Sequence, residues 1–227
     1  MFGKLIMISS TNYSQDMIES QKPKLRGVIH QYSFFISLIL GPLMVWYTTK
    51  DELFFATFVY SISLSLLLGT SALYHRINWT PHARAWMRRL DHTMIFVLIA
   101  GTYTPLVYTK IDPDISSLVL NVVWWSVGLG ALLKLGWVSA PKWLSAFIYV
   151  ALGWFALVPL PYLQEAWGWG CVIWLLVGGI FYSVGVLAYV LKRPNPIKDI
   201  FGYHEIFHSC VVIAAVCHYV AITEVAW

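Results

Sequence analysis

Charged residues are scarce in this sequence. They make up 11% of its 227 residues, whereas apolar residues make up 59%. A soluble domain carries about 25% charged residues, because polar groups must cover its surface. The shortage of charge therefore excludes a soluble globular protein and indicates a chain that lies in a lipid bilayer.

Two further sequence patterns are missing, and one residue type is rare. Polar and apolar residues do not alternate with a period of two, which excludes a transmembrane barrel. Cysteine is rare: Cys171, Cys210 and Cys217 are odd in number and lie in apolar stretches, which argues against a disulfide framework. The first 25 residues contain no apolar run of signal-peptide length, so we expect a polar tail over residues 1–26 followed by an uncleaved first span.

Long apolar stretches dominate the rest of the chain. Seven of them are long enough to cross a hydrocarbon core of about 30 Å, which takes about 20 helical residues. Pro159 and Pro161 are expected to kink the fifth. We therefore predict an all-α polytopic membrane protein, with residues 27–227 forming one seven-helix transmembrane bundle. The predicted spans are 27–48, 53–75, 88–109, 115–134, 143–162, 168–191 and 201–223.

The basic residues predict how the bundle is oriented. Thirteen of the fifteen Lys and Arg lie in the N-terminal tail and in the joints after the second, fourth and sixth spans, and only Lys50 and Lys110 lie in the other joints. Basic residues near helix ends are retained in the cytoplasm. We expect an inner (plasma) membrane protein with a cytoplasmic N-terminus and an external C-terminus. The net charge of +4 is thereby explained, and we expect membrane lipid rather than nucleic acid as the partner.

Polar residues within the spans gather at one predicted depth. Ionisable residues in a membrane are costly, and they usually face the interior of the bundle, where they are paired or bound. We therefore expect a functional site near the cytoplasmic face. The residues placed there by the predicted topology are Ser71, His75, Asp91, His92, His204 and His208.

The segment HEIFH, residues 204–208, matches the zincin metalloprotease signature, in which two histidines hold zinc and the Glu acts as base. Imidazoles four residues apart share one helix face and can form two zinc bonds. The third zincin ligand is missing, since His218 and Glu224 lie about 15 and 24 Å along the helix from His208 at 1.5 Å per residue. The third ligand must come from another span at the same depth, and the predicted topology brings His75 there.

The remaining histidines receive simpler interpretations. The topology leaves His30 and His82 near the lipid headgroups, where we interpret them as interfacial anchors. For His92, beside Asp91, a hydrogen-bond partner of the site and a packed side chain both stay open.

Three segments together are similar to a known family. SALYHRI (71–77), LDHTMIFVLIAGTYTP (90–105) and HEIFHSCVVIAAVCHYVAI (204–222) resemble, in this order, the hemolysin III branch of the progestin-and-adiponectin-receptor family. The resemblance covers spans two to seven. It implies a seven-helix bundle that holds Zn²⁺ near the cytoplasmic face with three histidines and one water.

The resemblance also implies roles for single residues. The ligands would be His75, His204 and His208, with Asp91 holding the water and Ser71 among the polar residues around it. Relatives tolerate other residues between the last two ligands, so we do not expect Glu205 to act as a base. The family often has acidic and Asn residues before the first span. Here that stretch reads KPKLRGVIH (22–30), so a role assigned to that motif does not transfer.

Three hypotheses for function follow, from different classes. The first is a zinc-dependent lipid amide hydrolase of the ceramidase type, with Asp91 and Ser71 as catalytic residues and a ceramide-like substrate. The second is a receptor-like or membrane-homeostasis protein with a purely structural zinc site. The third is a membrane-disrupting, hemolytic factor, and an intramembrane protease is a weaker fourth. A wide lipid-accessible cavity that opens onto the zinc would favour the first.

Overall fold

The computed structural model describes residues 23–108, 110–136 and 141–227, and these residues form helices and the turns between them. Most of the predicted polar tail, residues 1–22, lies outside the described residues. The helices are α1 (Val28–Trp46), α2 (Asp51–Arg76), α3 (Pro81–Val107), α4 (Pro113–Gly136), α5 (Lys142–Trp154), a 3₁₀ turn (Phe155–Leu157), α6 (Leu160–Leu191) and α7 (Tyr203–Ala226).

The prediction of an all-α membrane bundle is confirmed. Six helices in the described part of the chain are long and apolar enough to cross a membrane. The two central helices are the most buried: 61% of the most apolar stretch of α2 and 56% of that of α3 are buried, against 22% for α1 and α4. Large apolar side chains remain exposed around the outside, where lipid would cover them; examples are Phe35, Ile39, Leu129, Leu132 and Leu187.

The fifth predicted span, 143–162, is not one continuous helix. It consists of α5, the 3₁₀ turn and the beginning of α6. Pro159 directly precedes α6 and Pro161 lies in its first turn, where a missing amide proton costs no helical hydrogen bond. The predicted kink is therefore a break in the helix, and the apolar helix from Trp143 to Leu157 is too short to cross a membrane alone.

Gly168 reverses the chain within α6. Its φ of 79° and ψ of 176° are non-helical, and a positive φ favours glycine. A straight helix would place Leu160 and Ser183 about 34 Å apart. Yet Trp154, only six residues before Leu160, donates a hydrogen bond from its indole nitrogen to the Ser183 hydroxyl (2.9 Å). The segment before Gly168 therefore completes the fifth crossing, and the segment after it forms the sixth, at the position that the sequence predicted.

The bundle has two distinct ends. At the histidine end, α1, α3 and α7 begin and α2 and α4 end. At the opposite end the C-terminus of α7 meets the α1–α2 joint, where the Thr49 amide donates to the Ala226 carbonyl (3.1 Å). Lys50 and Lys110 also lie there, with their ammonium groups 5.1 and 4.8 Å from the ring centroid of Trp167. Which end faces the cytoplasm stays a prediction.

Candidate metal centre

Three histidines from two helices meet at the histidine end. His75 lies in the last turn of α2, and His204 and His208 lie in the first two turns of α7. Each offers one ring nitrogen, and these three nitrogens lie within 4.8 Å of one another. The Nε2 atoms of His75 and His204 are 3.2 Å apart. The structure thus brings together the three residues that the sequence predicted as ligands.

The spacing of one pair of these nitrogens matches that of two ligands on one zinc ion. Two nitrogens bound to one tetrahedral zinc at about 2.0–2.1 Å lie about 3.3 Å apart, close to the 3.2 Å between His75 and His204. Three neutral imidazoles are also the protein ligands of one well-known type of catalytic zinc site. His208 is buried and the other two are half-buried, so the ligand set faces the interior of the bundle.

His30 belongs to this cluster, and its interpretation as a headgroup anchor was wrong. Its side chain is 2% exposed and its ring stacks on His208, with centroids 3.8 Å apart and planes 3° from parallel. The physical reason is that α1 packs one face, formed by His30, Ser37, Gly41 and Met44, against the bundle. That face carries small residues seven and eleven positions after His30, which was a usable signal in the sequence.

His82 has the opposite environment. It is exposed in the first turn of α3 and accepts a hydrogen bond from the Trp86 indole (3.3 Å). This position agrees with the interpretation as an anchor. His92 contributes its backbone carbonyl to the site region, where the carbonyl accepts a hydrogen bond from the Tyr149 hydroxyl (3.1 Å).

Ser71 is close to both His30 and Asp91. The Ser71 hydroxyl is buried and lies 2.8 Å from Nδ1 of His30, and the Asp91 carboxyl group is a near neighbour of it. The His30 ring in turn stacks on His208. The two predicted catalytic residues therefore lie in the same region of the bundle as the candidate ligand His208.

Glu205 has a different environment from the base of a zincin. Its side chain is 1% exposed. One oxygen accepts a hydrogen bond from Nε of Arg26 (2.5 Å) and the other from the backbone amide of Gly202 (2.9 Å). Both carboxylate oxygens are therefore engaged, in agreement with the expectation that Glu205 is not a base.

The two downstream candidates lie away from the cluster, as the helix geometry predicts. The imidazole of His218 is directed at the Leu175 carbonyl (3.2 Å). Glu224 lies near Gly170 towards the opposite end of α7. Neither is among the three residues whose nitrogens converge.

An apolar cavity of about 150 Å³ lies beside the histidines. Five helices line it, and its walls are mostly Leu, Ile and Val. Phe207 forms part of the wall, and its ring centroid is 6.1 Å from that of His204 and 5.8 Å from that of His208. None of the three candidate ligands is among the residues that line the cavity, so Phe207 is its contact with the histidine cluster. Residues that line the cavity include Leu67, Ile99, Leu106, Leu163, Val172 and Val211.

Comparison with known proteins agrees with this architecture. The family described as Haemolysin-III related matches residues 18–219. The chain is 32% identical over 155 residues to the Hemolysin-3 homolog of Bacillus subtilis, covering 68% of this chain and 69% of that protein. It is 28% identical over 195 residues to the Adiponectin receptor protein of Drosophila melanogaster, covering 78% of this chain and 44% of that protein.

A third relative, the Progestin and adipoQ receptor-like protein 1 of Caenorhabditis elegans, is 28% identical over 182 residues, covering 71% of this chain and 41% of that protein. The chain thus spans less than half the length of these two animal relatives. The family match extends over the helices that carry all three converging histidines, and the chain therefore belongs to the haemolysin-III related family.

Proposed function

We propose that this chain is a zinc-dependent membrane hydrolase that cleaves lipid amides of the ceramide type. The observation that carries the proposal is the convergence of the His75, His204 and His208 nitrogens within 4.8 Å, beside an apolar cavity. This combination would provide a metal site and a place for an apolar chain within the same bundle.

The three histidines would hold the zinc ion. Zinc bound by three neutral imidazoles retains its positive charge, polarises a carbonyl and makes water a nucleophile near neutral pH. The 3° stack of His30 on His208 restrains the orientation of this ligand ring. Fixing a ligand ring in this way is the usual role of the residues around a metal.

Asp91 would act on the attacking water. A carboxylate can accept a proton from water in one step and return it to the leaving amine in the next. The Ser71 hydroxyl, which lies close to Asp91 and 2.8 Å from Nδ1 of His30, would hold the carboxylate in position. Ser71 is 4% exposed, and in this proposal it would orient Asp91 rather than attack the substrate.

The substrate class follows from the surroundings. Bilayer lipids have direct access to the bundle, and the cavity beside Phe207 is lined almost wholly by apolar side chains. A cavity of this size holds a small apolar group, so it would bind part of an acyl chain. An amide carbonyl attached to that chain would then lie towards the histidines.

We also propose that the protein lies in the inner (plasma) membrane and that its histidine end faces the cytoplasm. Basic residues concentrate at this end, which favours retention in the cytoplasm. Those in the described residues include Arg26, Arg76, Arg84, Arg88, Arg89, Lys134 and Lys192.

A structural zinc site in a receptor-like protein is the second candidate. Two of the relatives are named as receptors. In addition, His75 and His204 come from helices far apart in the sequence, so a bound metal would tie α2 to α7. The third candidate, a hemolytic factor, is supported only by names, those of the family and of the Bacillus subtilis relative.

Product release from a panel of ceramides separates the candidates. Zinc-loaded wild type should hydrolyse a ceramide, and apo protein should not. Asp91→Asn should keep its zinc, but its rate of hydrolysis should be about 10²–10⁴-fold lower. Asp114→Asn, an exposed change at the opposite end, is the matched control and should keep full activity. Equal background rates in wild type, Asp91→Asn and apo protein would refute the hydrolase and leave the structural site.

A further inference from the structure

A short segment, residues 23–27, crosses the histidine end before α1 begins. We call it the N-terminal strap. Its Lys24 and Leu25 amides donate hydrogen bonds to the carbonyls of Asp199 (3.0 Å) and Ile200 (3.3 Å). These carbonyls lie in the loop between α6 and α7, immediately before the helix that carries two candidate ligands. The strap is therefore attached to the beginning of α7 by backbone hydrogen bonds.

The strap also lies directly on the third candidate ligand. Gly27 has a φ of 76°, and a Cβ atom at this position would lie 2.6 Å from the Cβ of His75. Real Cβ atoms do not approach so closely, and a positive φ is in any case strained for other residues. The strap thus packs against both helices that supply the candidate metal ligands.

Arg26 forms an ion pair with Glu205. Its Nε atom lies 2.5 Å from Oε1 of Glu205, and the two side chains are 20% and 1% exposed. Glu205 follows His204 directly and lies three residues before His208. Because a buried carboxylate without a partner is strongly unfavourable, Arg26 ties this turn of α7 to the strap.

The location of this ion pair matters because helix ends fray. His204 is the second residue of α7, and the first turn of a helix opens more readily than its middle. His208 lies one turn deeper and stacks on His30. A restraint on the first turn would therefore act mainly on the direction of the His204 imidazole.

We propose that Arg26 is a positioning residue for the metal centre: by pairing with Glu205 it fixes the first turn of α7, so that the His204 imidazole stays within bonding distance of an ion shared with His75 and His208. The inference rests on the zinc site of the proposed function. The positioning role is assigned to Arg26 and Glu205, which are not among the three candidate ligands.

Zinc affinity of the purified protein tests this role. The affinity is measured by competition with a chelator, for wild type, Arg26→Ala, Glu205→Gln and the double variant. Each single variant should bind zinc about 10–100-fold more weakly, which is the usual effect of removing a residue that orients a ligand. Because the two side chains act as one unit, the double variant should be no weaker than the weaker single variant.

Two further measurements separate positioning from general instability. Lys24→Ala removes the same charge from the same strap, but this side chain is exposed, so it is the matched control and should bind zinc like wild type. Co²⁺ substituted for zinc reports the coordination number through its visible absorption. The Arg26 and Glu205 variants should give an altered cobalt spectrum while keeping wild-type helicity and elution volume. Glu205→Gln keeps the side-chain volume and the acceptor for the Gly202 amide, so it tests the pair even if Arg26→Ala fails to fold.

Unchanged affinity and an unchanged cobalt spectrum in Glu205→Gln would overturn the positioning role while leaving the zinc site intact. Equal weakening by Lys24→Ala would overturn it as well, because the effect would then be one of general charge. If wild type itself binds no zinc, the proposed function fails and this inference fails with it.

Discussion

Replacing His30 tests the assignment of this residue to the buried cluster. In His30→Ala the protein loses three contributions: the stack on His208, the hydrogen bond to Ser71 and the volume of a buried ring. Aromatic pairs contribute about 0.5–1.5 kcal/mol, and a hydrogen bond contributes about 0.5–1.5 kcal/mol. The space that the deleted imidazole leaves behind adds a smaller loss of stability. We expect the free energy of unfolding to fall by about 2–3 kcal/mol.

A second variant divides this loss between the ring and the hydrogen bond. His30→Phe keeps an aromatic ring against His208 but removes the hydrogen bond with Ser71, so it should cost about 1 kcal/mol. His82→Ala is the matched control. It removes an imidazole that is exposed at the same end of the bundle, and it should change the free energy of unfolding by less than about 0.5 kcal/mol.

Thermal unfolding of zinc-free protein in detergent measures these differences without a contribution from metal binding. For a chain of this length, 1 kcal/mol corresponds to about 2–4 °C in Tm, so His30→Ala should lower Tm by roughly 4–12 °C. The order of the three Tm values is the essential result: His30→Ala should unfold at the lowest temperature, His30→Phe at a higher one and His82→Ala at the highest. If His30→Ala and His82→Ala unfold at the same temperature, His30 is not packed against His208 and the corrected interpretation is itself wrong.

Three further predictions test the metal site and the topology. Purified wild type should contain about one zinc per chain by metal analysis. Alanine at any of the three candidate ligands should remove the zinc, whereas His218→Ala should not. Unchanged zinc content in all the ligand variants would exclude the site. Gly27→Ala should weaken zinc binding in a chelator competition, because its Cβ would collide with His75; wild-type affinity would contradict that contact. Reporter fusions after residue 195 should behave as cytoplasmic and fusions after Trp227 as external, and the reverse pattern would invert the proposed orientation.

The positions of the spans could be predicted because they depend on local properties. Apolar length and polar joints are visible in any short stretch, and the structure places helices over most of the predicted ranges. The fifth span shows where this reasoning ends. Pro159 and Pro161 indicated a kink, but only the structure shows that the helix stops before them and that Gly168 turns the chain back.

The three converging histidines could be predicted for a related reason. Residues four apart on a helix share a face, so His204 and His208 had to point the same way, and the predicted topology placed His75 at their depth. These inferences need only helical periodicity and the order of the spans. The 3.2 Å between the His75 and His204 nitrogens is the contact that this reasoning anticipated.

What surrounds the ligands was decided by the tertiary structure alone. His30 meets a serine 41 residues away, and Arg26 meets a glutamate 179 residues away. Hydropathy reports the depth of a residue in the membrane but not which helix faces pack together, and the path of residues 23–27 is fixed by hydrogen bonds to a loop near the far end of the chain. The sequence by itself therefore determined the class of fold and the three candidate ligands. Long-range packing determined which residues surround those three histidines, because such contacts form only once all the helices have assembled.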